Sequence, residues 1–402
     1  MKIAVFCGKF PSVSETFVVE EICQLLDDGN DVIIFSKEKG GNDFTSAKFN
    51  QYKLQERTIY FTLNRRKTLK GVVESVFTNL NNISKIPKLI NRIGVRSLFS
   101  NRGQSFSFHE HHHFDIIHCH FAVMGDLAVK LRQRKIISGK IITTFHGSGL
   151  VTLNSKKGIY PHLIKEGDLF ISNSAFTTQV AVSKGYSENK IFYVPAQFDS
   201  NKFIRSKPRF YPKEKITIIS IGRLVPFKGF YYGVHAIKNL LLKGHTNIEY
   251  RIIGEGPTRA ELEKEIQEYD LEEYVTLLGQ QTSEIVKEEL EKADIYIMPG
   301  IIDDNGRAEA QGVVLQEAQA MELPVIASRV GGMVQGINDG KSGFLVSQKD
   351  EVELAEKIIW FLEHQDRIKE FGQNGRAFVL ENFNSKKNFE KLLGCYRHTL
   401  NK

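Results

Sequence analysis

Residues 216–229 read ITIISIGRLVPFKG: the apolar run Ile216–Ile221 and then the basic turn Gly222-Arg-Leu-Val-Pro-Phe-Lys-Gly229. A short apolar run that ends in a glycine turn reads as a strand. It opens a series of such runs: Tyr250–Ile253, Val275–Leu278, Ile295–Met298 and Val325–Ala327. Between them stand stretches of helical spacing, notably Thr258–Tyr269, Ser283–Glu291 and Val313–Met321. Upstream the same alternation begins at Lys2–Cys7 and passes through Asp31–Phe35, Asp115–His118, Lys140–Phe145, Leu169–Ser172 and Ile191–Val194. Glu15–Leu26 is the first helix, with Phe17, Val18, Ile22, Leu25 and Leu26 apolar, and Ser12 with Glu15 forms a capping-box pattern at its start. Strands alternating with helices predict β-α-β units, parallel sheets and the α/β class.

The two series are separated by Pro195–Glu214, which carries three prolines and no periodicity and reads as a linker. A chain of 402 residues suits two domains of ordinary size. The expected division is 1–200 and 201–380, both Rossmann-like, with residues 381–402 forming a helix that crosses back to the first domain. Two open parallel sheets joined this way make a central cleft beyond the carboxyl ends of their strands, where ligands bind.

The composition, 41% hydrophobic and 25% charged, is that of a globular chain. The apolar run at Met1–Phe6 is too short for a signal peptide, so the mature chain is expected to begin at or near Met1, in the cytoplasm. Cys7, Cys23, Cys119 and Cys395 are scattered, which favours reduced thiols over a disulfide framework. The net charge of +7 is unevenly spread: Arg57–Arg102 holds ten Lys or Arg against one acid, Glu74, interleaved with aliphatic and aromatic residues. Such a stretch can lie on an anionic membrane surface, and a solvated helix pair with one apolar side is the alternative. No recognition motif accompanies the charge, so no nucleic-acid partner is expected.

The turn after Ile216–Ile221 suits an anionic ligand, because Arg223 offers a planar fork for phosphate oxygens and Lys228 a compact charge. Alone it would read as solvated loop. Downstream stands Glu309-Ala-Gln-Gly-Val-Val-Leu-Gln-Glu317. Gly312 sits where a helix begins, so the amides there and the positive dipole end form a seat for a diphosphate. Glu309 precedes the helix and Glu317 lies inside it; carboxylates accept hydrogen bonds from paired hydroxyls, so one can hold a hexose and the other a ribose. Taken singly, each would pass for a loop or helix-surface acid.

Taken together, G-R-x(4)-K-G, then Gly254-Glu-Gly-Pro257, then E-x(7)-E and the Gly331-Gly332 loop resemble glycosyltransferase family 4, over essentially the whole chain. The resemblance implies a retaining enzyme of the GT-B fold. It implies that Arg223, Lys228 and the amides of Gly312, Val313 and Val314 bind the donor diphosphate, and that Glu317 takes the ribose and Glu309 the transferred sugar. It places the base near Gly279, Gln280 and Gln281. His146, in Thr143-Thr-Phe-His-Gly147, would stand beside the donor sugar, and His118 and His120 would line the cleft. The loop Phe10–Phe17, with Ser14, Glu15 and Thr16, resembles a subgroup that builds bacterial exopolysaccharide, capsule or O-antigen, and stands on the acceptor side. The donor would be a UDP- or GDP-linked sugar and the acceptor a glycan or lipid-linked glycan. Basic residues would neutralise the leaving diphosphate without a metal or other cofactor.

Three patterns are decoys. His109-Glu-His-His-His113 fits H-E-x-x-H, but it runs into the strand at Asp115–His118, so its histidines would share no helical face. Gly336–Ser342 has three residues, not four, between its glycines and so fails as a phosphate loop. Asp303-Asp304 is not a D-x-D pair. Rival readings are a sugar-nucleotide epimerase of the same fold and a non-catalytic sugar-nucleotide-binding subunit of a polymer-assembly complex.

Overall fold

The computed structural model describes residues 1–12, 15–41, 47–61, 108, 111–147, 150 and 158–402. It contains two parallel sheets. The first is built from β1 (Lys2–Phe10), β2 (Asp31–Lys39), β3 (Thr58–Tyr60), β4 (His113–His120), β5 (Ser138–Phe145), β6 (Leu169–Ser172) and β7 (Ile191–Tyr193), in the order β3-β2-β1-β4-β5-β6-β7. The second holds β8 (Ile216–Ile221), β9 (Ile248–Ile253), β10 (Val275–Leu277), β11 (Ile295–Met298), β12 (Val325–Ser328) and β13 (Gly343–Val346), in the order β10-β9-β8-β11-β12-β13. Among the described residues every strand pairing is parallel. The α/β class and parallel sheets expected from the alternation of short apolar and amphipathic runs are those of the fold.

Helices cover the first sheet: α1 (Thr16–Asp27), α2 (Ala47–Gln51), α3 (Ala122–Gln133), α4 (Pro161–Glu166) and α5 (Ala175–Ser183). The second sheet carries α6 (Phe230–Leu242), α7 (Arg259–Glu268), α8 (Ser283–Lys292), α9 (Val313–Ala320), α10 (Glu351–Glu363) and α11 (Gln365–Asn382). Because helices lie on both faces, the strand interiors are apolar on both: Ile3, Ala4, Val5 and Phe6 of β1 are all fully buried. The last helix, α12 (Ser385–Leu400), packs Phe389, Leu392, Leu393 and Tyr396 into the same core as Ile3, Val5, Ile22 and Ile142 of the first sheet.

The segment after β7 is irregular but firmly held. Arg209 donates hydrogen bonds to the carbonyls of Glu322 and Leu290, at 2.6 and 3.1 Å, and Tyr211 and Lys213 both reach Asp294. Two expectations need correction. The capping box at Ser12 and Glu15 is not made: α1 begins at Thr16, with Glu15 in the cap position and no side-chain cap bond. Instead the Glu15 amide bonds the Ser12 carbonyl at 3.1 Å. Strands β3 and β13 were also passed over, being only three and four residues long. Among the described residues no helix is long and apolar enough to cross a membrane. Ser14, His109 and nearly all of Arg57–Arg102 lie outside the described residues.

Candidate functional site

In each sheet the strand order reverses once, between β1 and β4 and between β8 and β11. The crevice beyond the carboxyl ends of those strands is where such folds bind ligands. Glu15 and Thr16 follow β1, His120 closes β4 and His146 follows β5. Arg223 and Lys228 follow β8, and Glu309 follows β11. The strand ends of the two sheets face each other. Ala175, past β6, donates its amide to Gln335 Oε1 at 2.6 Å. Ala196, past β7, donates to Gln311 Oε1 at 2.7 Å and accepts from Gln311 Nε2 at 3.1 Å.

On the second sheet, Lys228 Nζ donates to Glu309 Oε2 at 2.5 Å, with both side chains mostly buried. The other carboxylate oxygen accepts the amides of Gly312 at 3.1 Å and Gln311 at 3.4 Å. Burial pushes the Glu309 carboxyl up, but Lys228 and those two amides outweigh it and hold its pKa below the usual value. Gly312 takes φ +80° at the cap position of α9, a left-handed conformation that suits glycine. The following amides, of Val313 and Val314, belong to the unpaired amino end of that helix. Gly332 fixes the Glu309 loop from behind: its amide bonds the Glu309 carbonyl at 2.8 Å, and a Cβ there would fall 1.7 Å from the Ala310 carbonyl oxygen. Arg223 is exposed at the edge of this group.

Glu317 is half-buried inside α9, and burial pushes its carboxyl up to about 8, against a lesser opposing effect from Lys202. Gly254, after β9, donates its amide to the Gly279 carbonyl at 2.9 Å, which sets the Gly279–Gln281 turn beside the Gly222 turn. Gln281 closes that turn by donating to the Leu278 carbonyl at 2.6 Å, and Gln280 is exposed. Hydrogen bonds thus link Lys228, Glu309 and Gly312, and others set the Gly279–Gln281 turn against the Gly222 turn that carries Arg223 and Lys228.

On the first sheet His146 is packed between the rings of Phe17, at 4.4 Å, and Phe121, at 5.1 Å. Its Nε2 lies 2.9 Å from Nδ1 of His120. His120 in turn points Nε2 at Glu21 Oε1, 3.5 Å away, and Glu21 Oε1 stands 2.9 Å from His118 Nδ1. His118 also meets the Tyr396 hydroxyl at 2.6 Å and the Thr144 hydroxyl at 2.7 Å. Burial holds His146 well below the usual imidazole value, with His120 and His118 adding to it, and holds His120 at about 4. Glu21 was not singled out in the sequence. The signal available was its place on the apolar stripe of α1, three residues after Val18 and four before Leu25, both buried. Burial raises the carboxyl of Glu15 to about 7, while Arg223, on the other sheet, and Lys9 pull it down. Thr16 is exposed beside it.

Asp303 is occupied locally: it accepts from the amides of Asn305 and Arg307 at 3.0 and 2.8 Å and from Arg307 Nε at 2.7 Å. His113 opens β4 and is not helical. Among the described residues, Glu21, His118 and His120 bring three atoms of metal-binding type within 4.8 Å of one another. Glu21 Oε1 lies 2.9 Å from His118 Nδ1 and 3.5 Å from His120 Nε2, and His120 Nε2 makes no hydrogen bond among the described residues.

Residues 14–201 match the family described as Glycosyltransferase Family 4, and residues 201–378 match Glycosyl transferases group 1. The chain is 30% identical over 400 residues to the amylovoran biosynthesis glycosyltransferase AmsK of Erwinia amylovora, with 96% of each chain covered. It is 29% identical over 399 residues to the putative colanic acid biosynthesis glycosyltransferase WcaL of Escherichia coli, again with 96% of each covered. Of solved structures, Anabaena HepE in complex with UDP superposes with a TM-score of 0.73 at 16% identity, covering 98% of this chain and 99% of that one. A Rickettsia africae glycosyltransferase gives a TM-score of 0.71 at 22% identity, with 99% and 98% covered. At these identities the structural likeness speaks for the fold.

Proposed function

Because this chain belongs to glycosyltransferase family 4 and has the GT-B fold, we propose that it moves a hexose from a nucleotide-diphosphate sugar to a glycan or lipid-linked acceptor in surface polysaccharide synthesis. The observation that carries this reading is the meeting of Lys228, Glu309 and the amino end of α9 at one switch point, beside Arg223. Arg223, Lys228 and the amides of Val313 and Val314 bind the diphosphate. Glu317 takes the ribose, and the Gly279–Gln281 turn receives the base. Glu309 and His146 hold the transferred sugar. The acceptor enters past Glu15 and Thr16. Support for a nucleotide donor comes also from HepE, a structural neighbour described in complex with UDP and with UDP-glucose.

In this reading the leaving diphosphate gathers negative charge as the anomeric carbon turns positive. Two fixed cations and a helix end stabilise that charge without reorganising, and no divalent metal is needed. The acceptor hydroxyl attacks the face the diphosphate leaves, which retains the configuration, and the departing phosphate oxygen takes its proton. The UDP- or GDP-linked donor is cytoplasmic, and the Arg57–Arg102 stretch brings the enzyme to an anionic membrane surface. Donor hydrolysis and transfer, measured with and without chelator, test the chemistry. Loss of turnover in chelator overturns metal independence, and full turnover in Glu309→Ala overturns the assigned site. Sedimentation with anionic vesicles at low and high salt tests the membrane contact, which salt should weaken.

A further inference from the structure

The chain of groups behind His146 reaches from the middle of α1 to the end of β5, and its protons can be placed one by one. Thr144 and Tyr396 flank His118, while Glu21 lies between His118 and His120. Burial raises the carboxyl of Glu21, which is 8% exposed, but His118, with Nδ1 2.9 Å from Oε1, draws it below the usual value. His120 is neutral, so one ring nitrogen carries a proton. His120 Nε2 makes no hydrogen bond among the described residues, but the charge of the Glu21 carboxylate, 3.5 Å away, favours the proton on Nε2 and leaves Nδ1 its lone pair. His146 is neutral as well and presents Nε2 to that lone pair at 2.9 Å. Its proton therefore sits on Nε2. The remaining nitrogen, Nδ1, has no hydrogen-bond partner among the described residues.

We propose that Glu21 and His120 are positioning residues, which act through His146 by fixing its proton on Nε2 and leaving Nδ1 as an acceptor for a sugar hydroxyl. A histidine free to choose its tautomer would present a donor in part of the population and would hold that hydroxyl only in the rest. The chain removes the choice from behind, and the Phe17 and Phe121 rings fix the plane of the imidazole. This rests on the reading of His146 as a donor-sugar residue, but the proton assignment stands or falls separately.

The test uses the full chain labelled with 15N in its histidines. In the unaltered protein, His146 should show a bare Nδ1 and a protonated Nε2; the opposite pattern, or an equal mixture, overturns the proposal. His120→Leu removes the acceptor and should leave His146 a mixture of tautomers. His120→Asn keeps an acceptor oxygen near the position of Nδ1 and should restore the Nε2 proton. In transfer assays kcat should fall roughly 100-fold in His120→Leu, with donor KM within about twofold, and His120→Asn should recover most of it. Equal losses in the two variants, at equal melting temperature, overturn the proposal. So does a stoichiometric zinc ion that copurifies and is lost in Glu21→Gln, because a metal would then hold these atoms in place of protons. If the tautomer is as stated but no nucleotide sugar turns over, the proposed function fails and the proton assignment survives.

Discussion

Lys228 Nζ lies 2.5 Å from Glu309 Oε2, so the cation and the carboxylate that the sequence reading assigned to separate parts of the donor are one ion pair. Both side chains are mostly buried, and Glu309 also holds two backbone amides. Lys228 and the two amides hold the Glu309 carboxyl below its usual pKa and fix its orientation. In the proposed site a phosphate oxygen and a sugar hydroxyl would be met side by side by a preset pair.

Breaking that pair from one side should be costly. Lys228→Met leaves a buried carboxylate with two amides but no cation, and should lower stability by about 3 kcal/mol. Glu309→Gln should cost less, because the loop keeps its shape and the lysine can turn toward solvent. The double variant should regain most of what Lys228→Met loses, while transfer activity is lost in all three. Denaturant midpoints with donor turnover check this. A double variant no more stable than Lys228→Met overturns the coupling.

The titration of Glu317 gives stability a definite slope with pH. Its folded pKa is about 8 against an ordinary 4.5, so between those values the folded chain holds a proton that the unfolded chain has released. Stability then falls as pH rises from about 4.5 to about 8, by up to roughly 1.4 kcal/mol per unit. Glu15, raised to about 7, contributes with the same sign. Glu317→Gln should flatten the slope in part and weaken nucleotide binding. Urea unfolding at pH 5, 6, 7 and 8 measures it, and an unchanged slope in the variant removes Glu317 as its source.

Gly332 tests whether the loop behind Glu309 sets its geometry. An added Cβ would meet the Ala310 carbonyl oxygen at 1.7 Å, so Gly332→Ala must push the Glu309–Ala310 backbone aside. Stability should drop by about 1–3 kcal/mol and turnover should fall with it. Gly394→Ala is the control: it lies within α12, where an added Cβ meets nothing within 4 Å. That change should stabilise by about 0.5–1 kcal/mol and leave turnover alone. Matching effects in the two variants would mean that the Gly332 contact is unimportant.

Much of this architecture is legible as local pattern, and the remainder is not for definite reasons. Runs such as Ile216–Ile221 and Ile295–Met298 announce strands because both faces are buried, so apolar residues dominate them and the polar ones, Thr217 and Ser220, are small. Phe344, Leu345 and Val346 of β13 are too few to announce anything, and β13 is recognisable only by its pairing with β12. Gly312 and the helix after it are visible because glycine marks the turn. The Lys228–Glu309 pair joins positions 81 residues apart and follows only once β8 and β11 are neighbours. Glu21 was hidden because an acid beside Glu20 is read as facing solvent, although its place on the apolar stripe marked it as buried. Glu15 was explained by capping, and the missing cap bond is what frees it for another purpose.

Glu15 and Arg223 belong to different sheets, yet Arg223 is the foremost of the charges that pull the Glu15 carboxyl back from the rise burial imposes. If Arg223 binds the donor diphosphate as proposed, its charge is neutralised and a dianion arrives nearby. Both changes disfavour the Glu15 carboxylate, so its pKa, about 7 beforehand, must rise further. Donor binding near pH 7 should therefore take up a fraction of a proton at Glu15. Ribose hydroxyls on Glu317 favour its ionised form and act the other way, so the informative quantity is a difference. Calorimetric titration of a nucleotide diphosphate in two buffers of unlike ionisation enthalpy gives the proton count. Glu15→Gln should shift that count toward release, and Arg223→Gln should shift it the same way by leaving Glu15 already protonated. Identical counts in all three proteins would mean that Glu15 does not sense the donor.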